Sequence, residues 1–445
     1  MRRTPRFVGF ALLALFTVLA ACAGGAETEE ELVARAREIH QRVITMDTHD
    51  DIPGSFGQEG QNPCMELNRQ VDIPKMREGG LDVAFFIVYV GQGPRTPEGN
   101  ENALRSALQK FEGIHLVAEQ NCPDQIEIAY TADDVERIVN SGKLATVIGI
   151  ENGYPIGNDL TLIQDFYDRG GRYMTLAHTS HNDIADSSNP DEPEHGGLSE
   201  FGRQVVAELN RVGMFVDVSH ISRDAAIQAS ELSRAPVIAS HSSTKRWADV
   251  PRNMDEDQLR AVAATGGVVN IVAFAGYVRV QPPERNQSLQ ALRDEFGITG
   301  RGGRGGGRGG RGGRGGRGAG AAAAQPDTIR VVTPDSLPPD RRAAYDARLA
   351  QIDSMHPWPP NVSDFVDHID HAVSVIGLDY VGISSDFDGG GGVQGWDDAA
   401  ESFNVTLELV RRGYTEEEIA KLWGLNLLRA WREMDRIGRE IRGEG

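Results

Sequence analysis

The feature that most narrows the fold of this chain is a repeated alternation of short apolar runs with longer stretches of helical period. The runs fall at residues 43–46, 83–90, 145–150, 173–177, 214–218, 236–239, 267–272 and 380–384, eight in all. Helical patterns at 29–43, 200–212, 255–264 and 365–376 lie before or between them. Alternation of this kind is expected of βα units around a parallel sheet, and eight such units predict an α/β fold, a (β/α)8 TIM-type barrel with loop insertions. The 445 residues leave room for insertions, since a barrel of this type needs about 250. With 40% hydrophobic and 25% charged residues, the chain can bury a large core.

The first 21 residues stand apart. Arg2, Arg3 and Arg6 precede an apolar stretch over 7–21. It is too short to span a bilayer as a helix and has the layout of a secretory signal. It ends in Leu19-Ala20-Ala21-Cys22, which resembles a bacterial lipobox. The expectation is cleavage before Cys22, diacylglyceryl attachment to its sulfur, a linker over 22–28 and a barrel over 29–445. The protein would then be lipid-anchored in a bacterial cell envelope, on the periplasmic or outer surface. Cys64 and Cys122 remain, and in an exported protein they either pair or stay as buried or free thiols.

A second departure from the alternation is 300–320, with fourteen glycines and six arginines, followed by alanines up to about residue 325. This composition has almost nothing to bury and predicts an insertion without regular structure. Such repeats also occur in RNA-binding tails, but the net charge of −20 repels a phosphate backbone. No nucleic-acid partner is expected.

The chemistry lies where the apolar runs end. Asp47-Thr48-His49-Asp50-Asp51 follows the first run, and His49 and Asp51, two apart, project to one side of an extended backbone. Glu151, His178, His220, His241 and Asp386 follow five further runs. The C-terminal ends of barrel strands carry the active site in this fold, so six strand ends converge on one mouth. His49, Asp51, His220 and His241, with Glu151 able to bridge through both oxygens, supply enough ligands for two divalent ions. Zinc suits this mixed set best, while ligand type alone leaves manganese, cobalt or iron open.

The segments DTHDD, GIENG, RYMTLAHTSHND, GLSEFGRQVVAELNRVGMFVDVSHIS, IASHSS, PRNMDEDQL, HIDHAVSVIGLDYVGISSDFDGG and VRRGYTEEEIAKLWGLNLLR resemble the membrane (renal-type) dipeptidase family of zinc peptidases, in the metal-dependent hydrolase superfamily. The resemblance runs from about residue 39 to 434, interrupted around 282–358. It implies a dipeptidase with two zinc ions, His49 and Asp51 on one, His220 and His241 on the other and Glu151 between them. It further implies that His178 polarises the substrate, that Asp386 handles the proton and that Arg252 contacts the substrate's free carboxylate. Asp388 reads as a structural neighbour. Dipeptides, including those with a C-terminal D-residue, are the implied substrates, and a homodimer is compatible with the family.

Thr48 and Asp50 depart from the family's commoner first motif, though neither is an implied ligand. The glycine–arginine insertion should border the mouth and affect access. Other functions compatible with these residues are hydrolysis of N-acyl amino acids or lactones, and a binding lipoprotein without catalysis. His181, His195, His368 and His371 read as surface or supporting residues.

Overall fold

A computed structural model describes residues 27–298 and 334–444. The segment 1–21, Cys22 and the glycine–arginine insertion lie outside the described residues. Nine strands form one sheet: β1 (Met46–Asp51), β2 (Val83–Tyr89), β3 (Ile126–Ile128), β4 (Leu144–Glu151), β5 (Gly171–Thr175), β6 (Phe215–Asp217), β7 (Ile238–Ser242), β8 (Val268–Val272) and β9 (Val381–Ser384). The order is β1-β2-β4-β5-β6-β7-β8-β9, and every pairing is parallel. The ring closes just beyond β9, where Asp50 bridges Phe387 and the Asp51 amide donates to the Phe387 carbonyl at 2.9 Å. The chain is a (β/α)8 barrel.

The first strand and one additional strand depart most from the sequence expectation. The first strand begins at Met46 rather than ending there, so the His49 motif lies within β1 instead of after it. Residues 43–45 are apolar enough to read as a strand, but they only lead into one. The additional strand β3 borders the first half of β4, through Ile126–Leu144 to Ile128–Thr146, and β5 takes the second half.

Side-chain alternation divides the core in two. Val83, Phe85 and Ile87 of β2, Ala145 and Val147 of β4, Tyr173 and Phe215 share one cluster with Leu427, Leu428, Trp431 and Met434 of the C-terminal helix (Asn426–Arg442). Ala84, Phe86 and Val88 join the larger cluster beneath the surrounding helices. Those helices start and stop on local signals. Helix Glu200–Val212 is capped by Ser199, whose hydroxyl accepts from the Gly202 amide, and ends at Gly213 in the left-handed region.

After β8 the chain leaves the barrel. Helices Pro283–Phe296 and Pro339–Met355, which flank the insertion, pack on each other through Leu292, Phe296, Tyr345 and Ile352. The disulfide Cys64–Cys122 joins the loop after β1 to the end of the helical segment after β2, with Cα atoms 6.0 Å apart. Among the described residues no helix is long and apolar enough to cross a membrane.

Candidate active site

Glu151 ends β4 on the face that carries Ala145 and Val147, so its carboxylate points into the mouth of the barrel. Its Oε1 lies 2.9 Å from His220 Nε2, 3.4 Å from His241 Nε2 and 3.5 Å from His178 Nε2, while Oε2 lies 3.6 Å from His49 Nε2. The Nε2 atoms of His220 and His241 are 2.8 Å apart. Ligand-capable atoms of His49, Asp51 and Asp386 form an adjoining group within 4.8 Å of one another. The seven strand-end residues singled out in the sequence therefore occupy one cluster. His241 is inside β7 rather than after it, and His178 stands three residues beyond the end of β5.

Backbone conformation aims two of these groups. His220 (φ 67°) and Asp386 (φ 61°) adopt the left-handed region, which costs a non-glycine residue energy and turns the side chain across the mouth. Gly389 allows a close approach: a Cβ there would collide with the carboxylates of both Asp386 and Asp51. Gly149 similarly leaves space for the Tyr173 ring. The Tyr173 hydroxyl lies 2.8 Å from His49 Nδ1 and donates to the Thr48 carbonyl at 3.2 Å. On the other side Ser240 Oγ lies 2.7 Å from His241 Nδ1 and donates to Asp217 at 2.7 Å. These contacts favour a proton on Nδ1 of each ring, leaving Nε2 as a lone-pair donor toward the cluster.

Electrostatics makes the same cluster a cation site. Burial alone would lower the His49 pKa, but Glu151, Asp386 and Asp51 outweigh it and raise it to about 9. Burial pushes Asp386 well above the usual carboxylate range, partly offset by His49. It pushes His220 and His241 well below the histidine range, helped by Arg252 and neighbouring imidazoles. His49 Nε2 and Asp51 Oδ1 are buried without a hydrogen-bond partner. Buried polar atoms of this kind are rare unless something satisfies them, and converging imidazole nitrogens and carboxylates are the donor set of a divalent metal. The residues present fit such an ion.

Arg252 approaches from the β7 side. Its guanidinium donates to the His241 carbonyl at 2.9 Å and to Ser242 Oγ at 3.3 Å, and lies 5.2 Å from the centre of the Tyr277 ring. Asp388 accepts from the Gln70 and Val71 amides and pairs with Arg69 at 3.2 Å. His181 accepts from the Ser187 amide, His195 reaches the Asn182 carbonyl, and His368 is buried between Thr244 and Val278. Sequence reading missed Tyr173, Tyr277 and Asp217. Only Asp217 left a signal, an acid within the apolar run Phe215-Val216-Asp217-Val218. Its carboxylate accepts from the Ser219 and Ser240 amides and from the Thr175 and Ser240 hydroxyls.

The sequence profile of the membrane dipeptidase family (peptidase family M19) matches residues 33–444. Dipeptidase tcpJ of Claviceps purpurea is 28% identical over 86% of this chain and 73% of its own length. Dipeptidase verJ of Clonostachys rogersoniana is 27% identical over 94% of this chain and 90% of its own. The crystal structure of the probable dipeptidase PvdM from Pseudomonas aeruginosa has a TM-score of 0.74 and 33% identity, covering 92% of this chain and 99% of that one. A barrel whose strand ends gather imidazoles and carboxylates, matched along nearly its whole length by one family of metallopeptidases, leaves one assignment: the chain belongs to the membrane dipeptidase family.

Proposed function

We propose that the protein hydrolyses dipeptides at a binuclear zinc centre, with His49 and Asp51 as ligands of one ion, His220 and His241 of the other, and Glu151 shared. The observation that carries this reading is the placement of Glu151, one oxygen toward His49 and the other toward His220 and His241. When bound, the ions supply Lewis acidity and lower the pKa of the hydrolytic water. His178, the most exposed of the four histidines that face Glu151, hydrogen-bonds the scissile carbonyl oxygen as negative charge develops there. Asp386 takes the proton from the attacking water and returns it to the departing amine. Arg252 holds the C-terminal carboxylate by a two-point contact that a lysine could not reproduce. This anchoring restricts the site to short substrates with a free carboxylate, including those whose second residue is D.

The test is hydrolysis of a small panel of L,L and L,D dipeptides by metal-loaded protein, with metal content measured on the same sample. Two zinc ions per chain and turnover of at least one dipeptide are expected. A fully loaded protein that cleaves only N-acyl amino acids or lactones would overturn the reading. We further propose that Cys22 is lipidated after removal of 1–21 and anchors the protein in the cell envelope. Cys22→Ser should then abolish incorporation of labelled fatty acid and release the protein from membranes.

A further inference from the structure

The helix that follows β2, Pro97–Leu116, brings one cation to the edge of the mouth. Lys110 Nζ lies 5.5 Å from the centre of the Tyr89 ring. Tyr89 is the last residue of β2, pairs in register with Glu151, and has its ring 4.8 Å from that of His178. Burial pulls the Lys110 pKa down while the charges of Asp51 and Glu151 pull it back up. The ammonium is thus close enough to feel the cluster, yet among the described residues no carboxylate lies within ion-pair distance of it. A mostly buried ammonium with a ring beneath it and no anion beside it is an unusual thing for a fold to keep.

Its position relative to Arg252 gives it a use. Around the ring β1-β2-β4-β5-β6-β7-β8-β9, the strand β2 stands four places from β7 in either direction. Tyr89 and Lys110 therefore lie across the mouth from Arg252, which follows β7, with Glu151 between them. A dipeptide whose C-terminal carboxylate rests on Arg252 and whose peptide bond lies over the cluster has its first residue on the β2 side of the mouth. The helix and the turn that follows it are tied to the loop after β1. Gln109, beside Lys110, donates to the Gly54 carbonyl at 2.8 Å, Asn121 donates to the Gly57 carbonyl at 2.7 Å, and the Cys64–Cys122 disulfide ties the same two segments.

We propose that Lys110 is a specificity-determining residue that pairs with an acidic side chain on the first residue of the substrate, so that dipeptides beginning with glutamate or aspartate are preferred. This rests on the dipeptidase reading above. The contact is a charge-assisted hydrogen bond in a partly desolvated site, for which about tenfold or more in kcat/KM is expected.

The experiment compares L-Glu-L-Ala with its neutral isostere L-Gln-L-Ala, using metal-loaded full-length protein with its metal content measured. The wild-type ratio of kcat/KM should favour the glutamyl substrate by about tenfold or more. In Lys110→Gln it should fall to near one, and in Lys110→Arg it should persist. A wild-type ratio near one overturns the proposal whatever the variants do, and so does a ratio that survives in Lys110→Gln. If Lys110→Gln fails to fold, Lys110→Met supplies the same comparison. Failure of the dipeptidase reading itself is distinct, because neither substrate would then be cleaved.

Discussion

The barrel mouth and the helical pair that departs after β8 solve opposite problems. At the mouth, polar groups are buried and several are oriented by a second one: His49 by Tyr173, His241 by Ser240, and Ser240 by Asp217. The pair Pro283–Phe296 and Pro339–Met355 rests on a small core of four buried apolar residues, Leu292, Phe296, Tyr345 and Ile352, apart from the main clusters, with one buried cation, Arg285, paired with Asp353 at 2.7 Å. Substitutions at the mouth should alter chemistry with little change of shape, whereas substitutions in the helical pair should alter local order with little change of chemistry.

The sharpest test of the first half is Asp386→Asn, which keeps the shape and removes the proposed proton acceptor. Its kcat should fall by about 10²–10⁴-fold while metal content is unchanged. Near wild-type kcat, or loss of metal, would remove Asp386 from the proton-transfer role. Arg252→Ala should act mainly on capture, raising KM by about 10–100-fold, with a further kcat loss if the anchored carboxylate also aligns the scissile bond. An unchanged KM would mean that the carboxylate binds elsewhere.

His368, on the helix Val362–Ile376, is hydrogen-bonded to Thr244 after β7 and to the Val278 carbonyl after β8. Burial lowers its pKa to about 4, against 6.5 for the free side chain. Between these values the unfolded chain binds the proton and the folded one does not, so stability falls as pH drops from about 6.5 to about 4. The loss should reach at most about 3 kcal/mol, read as a steeper acid limb in urea unfolding than His368→Gln shows. Parallel pH profiles would assign the acid sensitivity elsewhere.

The smallest effect on activity is expected from Phe296→Ala, which removes the ring packed edge-on against Tyr345 at 5.5 Å. It should cost the helical pair about 3 kcal/mol of local stability, seen as faster amide exchange in the two helices, with kcat/KM within about twofold of wild type. A tenfold loss of activity would show that the two regions are coupled and would break the comparison.

Legibility in the sequence follows the same division. β2, β4, β6, β8 and β9 are legible because apolar residues dominate them, whereas β5 and β7 show only through apolar residues that overlap one end of each strand. β1 was misplaced because Met46-Asp47-Thr48-His49-Asp50-Asp51 is almost wholly polar, although five of its six residues are buried. Polarity marks a surface only where burial is not being spent on function. β3 escaped notice because three residues, Ile126-Glu127-Ile128, carry too little periodicity. The metal-capable side chains stood out by following apolar runs. Their supports, Tyr173 reaching His49 past Gly149 and Gly389 admitting two carboxylates, depend on approaches between distant segments that no local pattern records. The Cys64–Cys122 pairing, left open by the sequence, is of the same kind.

The closure of the ring between Asp50 and Phe387 has a consequence for biosynthesis. Asp51 comes from the first strand to be translated and Asp386 from just beyond the last, yet their side chains meet around one glycine. A ribosome-bound chain stopped between residues 241 and 386 holds all five proposed metal ligands and lacks the proposed proton carrier. Hydrolytic capacity would therefore arrive all at once, near the end of synthesis, and prematurely terminated chains would be silent rather than weakly active.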